Sequence, residues 1–288
     1  MNSYVIYTDS SCDLSSEMLK AREIYYSSLS FRFDGGEKEY YNNEMPIGEF
    51  YGKMREGGVA KTSAVNVESF AAGFRSLLEE GQDILYLGFS SGLSTTYNSA
   101  RLAAEQLKDE YPDRRILTVD TLAASAGVAL LIDLVQKKKQ AGATIEEAAE
   151  YAEALKLKIS HWFTVDDLVY LKRGGRVSAS TALIGNMLGI KPILHVDNEG
   201  HLINVQKVRG RRLAIHTLAE KCNALRDTDF PAIAYISHAD CLDEAEALAT
   251  VLKDKFGVKT ELITDVGSVI GAHSGPGTLA LFFVGKER

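Results

Sequence analysis

Ile84-Leu85-Tyr86-Leu87-Gly88-Phe89-Ser90-Ser91-Gly92-Leu93-Ser94-Thr95-Thr96-Tyr97 reads as a strand, a turn and the start of a helix. That succession sets the fold class. The apolar run has strand length and breaks at Gly88 into a hydroxyl-rich turn, after which Ala100, Ala103, Ala104 and Leu107 recur on one helical stripe. In an α/β protein, ligands lie at such strand-to-helix turns, because backbone N–H groups and the helix N-terminus point into the crevice. The same residues fit G-x-S-x-G (Gly88, Ser90, Gly92), the nucleophile-elbow pattern of serine hydrolases. Two functions are therefore open. Either Ser90 attacks an acyl group, or the hydroxyls hold an anion and react with nothing.

Outward from this stretch, strands and helices alternate through the first half. Tyr4–Thr8 reads as a strand, Asp9-Ser10-Ser11-Cys12-Asp13 as a turn, and Ser15 to Ala21 as a short helix. Ser28–Phe33 is extended, Pro46 opens a helix, and Lys61-Thr62-Ser63 forms a polar loop before a helix capped by Asn66. A strand at Arg115–Val119, a small-residue helix from Thr121 to Lys138 and a helix with the Thr144/Glu147 capping box follow. This alternation predicts a doubly wound, mostly parallel sheet.

The second half differs. Ile193–Val196 and Leu202–Val208 flank Asp197-Asn198-Glu199-Gly200 as a hairpin, followed by helix, strand, helix and strand. The expected class is α/β in two domains. A doubly wound, mostly parallel domain over residues 1–158 precedes an α+β domain over 159–288.

Composition narrows the function. Of the 288 residues, 45% are hydrophobic and 25% charged, the balance of a soluble globular protein. A net charge of -7 argues against a nucleic-acid partner, which requires a basic face. No stretch approaches the ~20 apolar residues of a membrane span, and the N-terminus shows no secretory signal. Three widely spaced cysteines, Cys12, Cys222 and Cys241, suit a reducing cytoplasm and no structural zinc. The sequence contains neither G-x-x-x-x-G-K-[ST] nor G-x-G-x-x-G, so no nucleotide cofactor is expected.

Hydrolysis would need a histidine base, and all six histidines lie at or after His161. His273, following Asp240 or Asp265, preserves the Ser…Asp…His order, so a triad with Ser90 stays formally open. The binding reading collects more of the chain. Thr8 to Ser11, Lys61 to Ser63 and Ser90 to Thr96 are rich in hydroxyls, and Gly267 to Gly277 carries His273 among four glycines. Loops of this kind surround a carboxylate or phosphate with hydroxyl and backbone donors without a metal. His161, His195, His201, His216 and His238 read as structural or exposed.

These loops, in this order, resemble the DegV family of bacterial fatty-acid-binding proteins. The matching pieces are Thr8-Asp9-Ser10 with Leu14-Ser15, Lys61-Thr62-Ser63, Ser90 through Tyr97, Leu171-Lys172-Arg173-Gly174-Gly175-Arg176, Ile190 through Leu194, and Gly271 through Gly277. Two pieces depart from the pattern. Ala64-Val65 stands where the family has Gln-Pro, and Thr95 where it has Gly.

The resemblance implies a long-chain fatty acid buried between two α/β domains, its carboxylate held by Thr62, Ser94, Ser91 and His273. It implies a non-catalytic, cytoplasmic, lipid-presenting subunit of a two-component fatty acid kinase. The separate ATP-binding catalytic subunit makes an acyl phosphate for phospholipid synthesis. On this acidic chain, Arg176 and Arg209 are the residues expected to dock that partner.

Overall fold

A computed structural model describes residues 3–42, 44–177 and 189–288. Its strands are β1 (Tyr4–Asp9), β2 (Tyr25–Ser27), β3 (Ser30–Phe33), β4 (Tyr40–Tyr41), β5 (Ala60–Ser63), β6 (Asp83–Gly88), β7 (Ile116–Asp120), β8 (Ile159–Thr164), β9 (Ile190–Val196), β10 (Leu202–Arg209), β11 (Ile233–His238), β12 (Lys259–Asp265) and β13 (Leu279–Val284). They build an all-parallel sheet in the order β2-β1-β6-β7 and a mixed six-stranded sheet in the order β10-β9-β8-β13-β11-β12. A small antiparallel sheet, β4-β3-β5, lies beside them. Every strand of the parallel and small sheets precedes residue 121, and every strand of the six-stranded sheet follows residue 158.

The parallel sheet is apolar on both faces, as a sheet clad in helices must be. Tyr4, Ile6, Leu85 and Leu87 pack to one side, whereas Val5, Tyr7, Ile84 and Tyr86 pack to the other with Phe70, Phe74 and Leu107 from helices Val67–Glu79 and Thr96–Glu110. The six-stranded sheet repeats the pattern. Ala234, Ile236, Leu279 and Leu281 face helices Arg211–Leu225 and Leu242–Phe256, and Tyr235, Ala280 and Phe282 face the opposite way.

Between the two large sheets runs helix Ala126–Gln140, which packs against β6 and also against β8, β11 and β13. Its run Ala126 through Ile132 is buried without a break, so it has no solvent face along that stretch. One continuous core therefore joins Ile6 and Leu87 of the parallel sheet to Phe163, Leu194 and Phe282 of the mixed sheet. Polar ties cross the same seam. Asp133 accepts from Arg22 at 2.8 Å and from Tyr235 at 2.5 Å, and the Arg288 guanidinium donates to the carbonyls of Leu122 at 2.5 Å and Lys156 at 2.6 Å.

Several local readings hold. Asn66 accepts from the Ser69 N–H at 2.8 Å, Thr144 and Glu147 form the capping box, and β9–β10 is the expected hairpin. Two do not. Lys61-Thr62-Ser63 is not a loop but most of β5, paired with β3, because an edge strand needs no apolar alternation. Residues 268–274, inside the glycine-rich segment, form a helix from Ser268 to Ser274. A further short helix runs from Val169 to Arg173.

Because helix Ala126–Gln140 supplies core to both sheets, truncating it should weaken both at once. Leu131 is fully buried, and Leu131→Ala should cost about 2–5 kcal/mol. Denaturant unfolding followed by Trp162 fluorescence and by far-UV circular dichroism should shift together. Loss of only one signal at lower denaturant would contradict the shared core.

Candidate functional site: a hydroxyl-lined cavity beside the central helix

A cavity of about 470 Å³ opens where the loops of the two halves meet. Phe163, Ala280 and Phe282 from the six-stranded sheet line it, with Leu29, Phe89, Leu171, Val266 and Val269 from the loops and helices around it. Thr62, Ser91, Ser94 and His273 all line this one cavity, as does Arg176. They arrive from β5, from the turn after β6, from the Ser268–Ser274 helix and from the segment after Val169–Arg173.

Thr62 Oγ1 and His273 Nε2 are 2.8 Å apart. His273 Nδ1 is buried with no hydrogen-bond partner. It lies against Gly174, where an added Cβ would come within 2.1 Å of it, so only glycine lets the chain pass there. A ring nitrogen without an acceptor is better left unprotonated, which assigns the proton to Nε2 as donor to Thr62. The Thr62 hydroxyl proton is then free for an anion in the cavity. Burial, together with the neighbouring Arg176 charge, pushes the His273 pKa down to about 4, so the ring is neutral near pH 7.

The turn between β6 and the Thr96–Glu110 helix holds the other hydroxyls. Ser94 Oγ accepts from the Thr96 N–H at 3.2 Å and lies 2.9 Å from Thr96 Oγ1. Arg176 fastens this turn, donating through Nε and Nη2 to the Leu93 carbonyl at 3.1 and 2.9 Å. Its guanidinium is half-buried, and desolvation lowers its pKa. Arg209 stands apart, exposed at the end of β10 and outside the cavity.

The serine-hydrolase alternative finds no support in this geometry. Ser90 is fully buried, donates to the Gly200 carbonyl at 2.9 Å and accepts from the Gly92 N–H at 3.2 Å. Its proposed base, His273, is paired with Thr62 instead. The G-x-S-x-G spacing here serves a turn that grips the β9–β10 hairpin. Thr8-Asp9-Ser10-Ser11 is likewise structural rather than a ligand loop. Thr8 donates to Leu87 O, Ser10 accepts from the Leu29 N–H, and Asp9 accepts from Ser11, Tyr86 and the Phe89 N–H.

Other lining residues had no distinctive motif. His161 is fully buried on the cavity wall, with Nδ1 2.8 Å from Ile159 O and its pKa held well down by burial. Ser125 and Ser237 also line the cavity, 2.8 Å apart, and Ser125 donates to Asp13 Oδ2 at 2.5 Å. Their signal was faint: Ser237 sits in an apolar strand, and Ser125 in a run of alanines. Among the described residues, no group of three or more His, Cys, Asp or Glu is arranged to hold a metal ion, and no helix is long and apolar enough to cross a membrane.

Comparison with known proteins gives the relatives of this chain. A family model described as "Uncharacterised protein, DegV family" matches residues 3–286. A DegV domain-containing protein of Clostridium perfringens is 42% identical over 291 residues, covering 100% of this chain and 99% of its own length. A fatty acid-binding protein of Thermotoga maritima is 36% identical over 292 residues, with 98% of each chain covered. The crystal structure of a stearic acid-binding protein from Eubacterium ventriosum superposes with a TM-score of 0.88 at 28% identity, covering 97% of this chain and 98% of that one.

Asp13 gives the site a pH signature. Burial raises its pKa to about 7, against the hydrogen bonds from Ser125 and the Gly267 N–H that favour the charged form. A carboxyl whose pKa is raised on folding stabilises the fold fully below its unfolded value, and the contribution is lost as pH rises through the folded value. The buried histidines act oppositely, so the test is a difference. From pH 4 to 7, Asp13→Asn should gain on the wild type by up to roughly 1.4 kcal/mol per pH unit, with no further change above that. A gap independent of pH would contradict the assignment.

Proposed function

The chain belongs to the DegV family, and on that premise we propose that its cavity binds a long-chain fatty acid. The observation that carries this reading is the joining, in one cavity, of an apolar wall with Thr62, Ser91, Ser94 and His273. An acyl chain suits the wall, because each buried methylene contributes about 0.8 kcal/mol. A carboxylate suits the hydroxyls. Thr62 has a proton to give, Ser91 and Ser94 bring hydroxyls to a helix N-terminus, and Arg176 supplies positive charge nearby. The relatives bearing fatty-acid-binding names agree with this chemistry.

The protein is, on this reading, a cytoplasmic binding subunit rather than an enzyme. It presents the carboxylate to a separate ATP-dependent kinase, which makes the acyl phosphate used in phospholipid synthesis. The chain carries no phosphate-binding glycine motif of its own. Residues 1–158 and 159–288 act as two domains closing on the ligand. Arg209, exposed, and Arg176, on the cavity wall, are the proposed contacts with the kinase.

Two measurements test these statements. Thr62→Ala with Ser94→Ala should weaken binding of stearic or oleic acid by tenfold or more, since hydrogen bonds to a charged group are worth about 1.5–3 kcal/mol each. The double variant should still unfold cooperatively. Unchanged affinity would overturn the head-group assignment. For the partner, Arg209→Glu should leave the dissociation constant for fatty acid unaltered while reducing ATP-dependent acyl phosphate formation with the cognate kinase. Arg176→Glu should reduce both, because Arg176 also holds the Leu93 carbonyl. Full turnover with both variants would move the docking surface elsewhere.

A further inference from the structure

The cavity has a polar place that the head group does not need. Ser237 projects from the inner face of β11, level with Ala280 of β13. Its hydroxyl lies 2.8 Å from Ser125 Oγ, and Ser125 Oγ lies 2.5 Å from Asp13 Oδ2. Asp13 is buried behind this pair and accepts from the Gly267 N–H through its other oxygen at 3.0 Å. Ser125 holds φ 54 and ψ -144, a backbone conformation normally left to glycine. Its N–H bonds Ser11 O at 2.8 Å. Of the other polar groups on the wall, Thr278 donates to the carbonyls of Ser274 and Gly275 and His161 Nδ1 to Ile159 O, whereas the Ser274 hydroxyl is buried with no hydrogen-bond partner.

The direction of the Asp13–Ser125–Ser237 chain follows from proton counting. An ionised carboxylate only accepts, so Ser125 gives its proton to Asp13. The Ser125 oxygen is then the acceptor for the Ser237 proton. Ser237 is left with lone pairs and no proton for the cavity. The matching ligand atom is an oxygen that carries its own hydrogen; a carbonyl finds no donor there.

We propose that Ser237 and Ser125, oriented by Asp13, form a second polar subsite that recognises a hydroxyl on the acyl chain of a long-chain hydroxy fatty acid. The inference rests on the fatty-acid reading above and names the ligand class within it. Asp9, Asp265, Tyr51 and Cys12 are the ionisable groups around Asp13. The two acids raise its pKa, whereas burial holds Tyr51 and Cys12 in their neutral forms. At pH 8.5, above the Asp13 value of about 7, the chain has the direction described. Asp13→Asn keeps the acceptor for Gly267 N–H and puts an N–H donor against Ser125. That reverses both serine hydrogen bonds and makes Ser237 a donor into the cavity.

The test measures dissociation constants of the full chain, stripped of lipid, at pH 8.5. The ligands are stearic acid and two positional series, hydroxystearic and ketostearic acids. One hydroxyl position should bind as tightly as stearic acid or up to about tenfold tighter, as one net hydrogen bond allows. The remaining positions, and the keto series, should bind about fivefold to a hundredfold more weakly, because their oxygens are buried unpaired. Ser237→Ala should erase the advantage of the favoured position. Asp13→Asn should raise affinity for the keto acid of that same position. Uniform weakening at every hydroxyl position, or a preference that survives Ser237→Ala, would overturn the subsite. If stearic acid binds but shows no positional effect, this proposal alone fails. If stearic acid does not bind, the fatty-acid reading fails as well.

Discussion

Burial of helix Ala126–Gln140 between two sheets is the constraint on which the rest of the molecule depends. A helical stretch without a solvent face, as from Ala126 to Ile132, must be covered on both sides, and here each cover is an apolar sheet face drawn from a different half of the chain. The two halves therefore share one core. Their loops converge at the N-terminal end of this helix, where Ser125 bonds Asp13 and Ser237. The cavity sits at that convergence, so the site follows from the packing. Gly127 completes the fit, since an added Cβ would lie 2.3 Å from His161 Nε2 on the facing sheet.

The polar side of the cavity joins the uncharged Thr62, Ser91, Ser94 and His273 to one cation, Arg176. His273 is kept uncharged by burial and by Arg176, and it directs rather than removes the Thr62 proton. That arrangement suits binding an anion and gives no activated nucleophile. Ser90, the one residue whose spacing suggested nucleophilic attack, spends its proton on a backbone carbonyl. The asymmetry is informative. The hydroxyls of Thr62 and Ser94 are paired with His273 and Thr96 rather than with a carboxylate or carbonyl, whereas those facing the interior, such as Thr8 and Ser11, are fully engaged by Leu87 O and Asp9.

Much of the fold could be read from residue pattern because the signals were local. The strand–turn–helix at Ile84 through Tyr97, the Asn66 cap and the Thr144/Glu147 box all lie within a few residues of their partners. The small sheet was not legible, since Tyr40–Tyr41 and Ala60–Ser63 become strands only by pairing with Ser30–Phe33 from a distance. In the site, Thr62, Ser91, Ser94 and His273 stood in hydroxyl- or glycine-rich segments and were visible as candidates. Ser125, Ser237 and His161 were not, because their meaning depends on which strand faces the central helix. The same limit explains the error over Thr8 to Ser11: a hydroxyl-rich turn looks alike in sequence whether its protons point to ligand or to main chain.

Whether this cavity holds an acyl chain is decided by mass spectrometry of an organic extract of the purified, natively folded protein. A long-chain fatty acid at close to one equivalent per chain, displaced by added stearic acid, is expected. Protein that carries no acyl ligand and takes up none when offered stearic acid would contradict acyl binding.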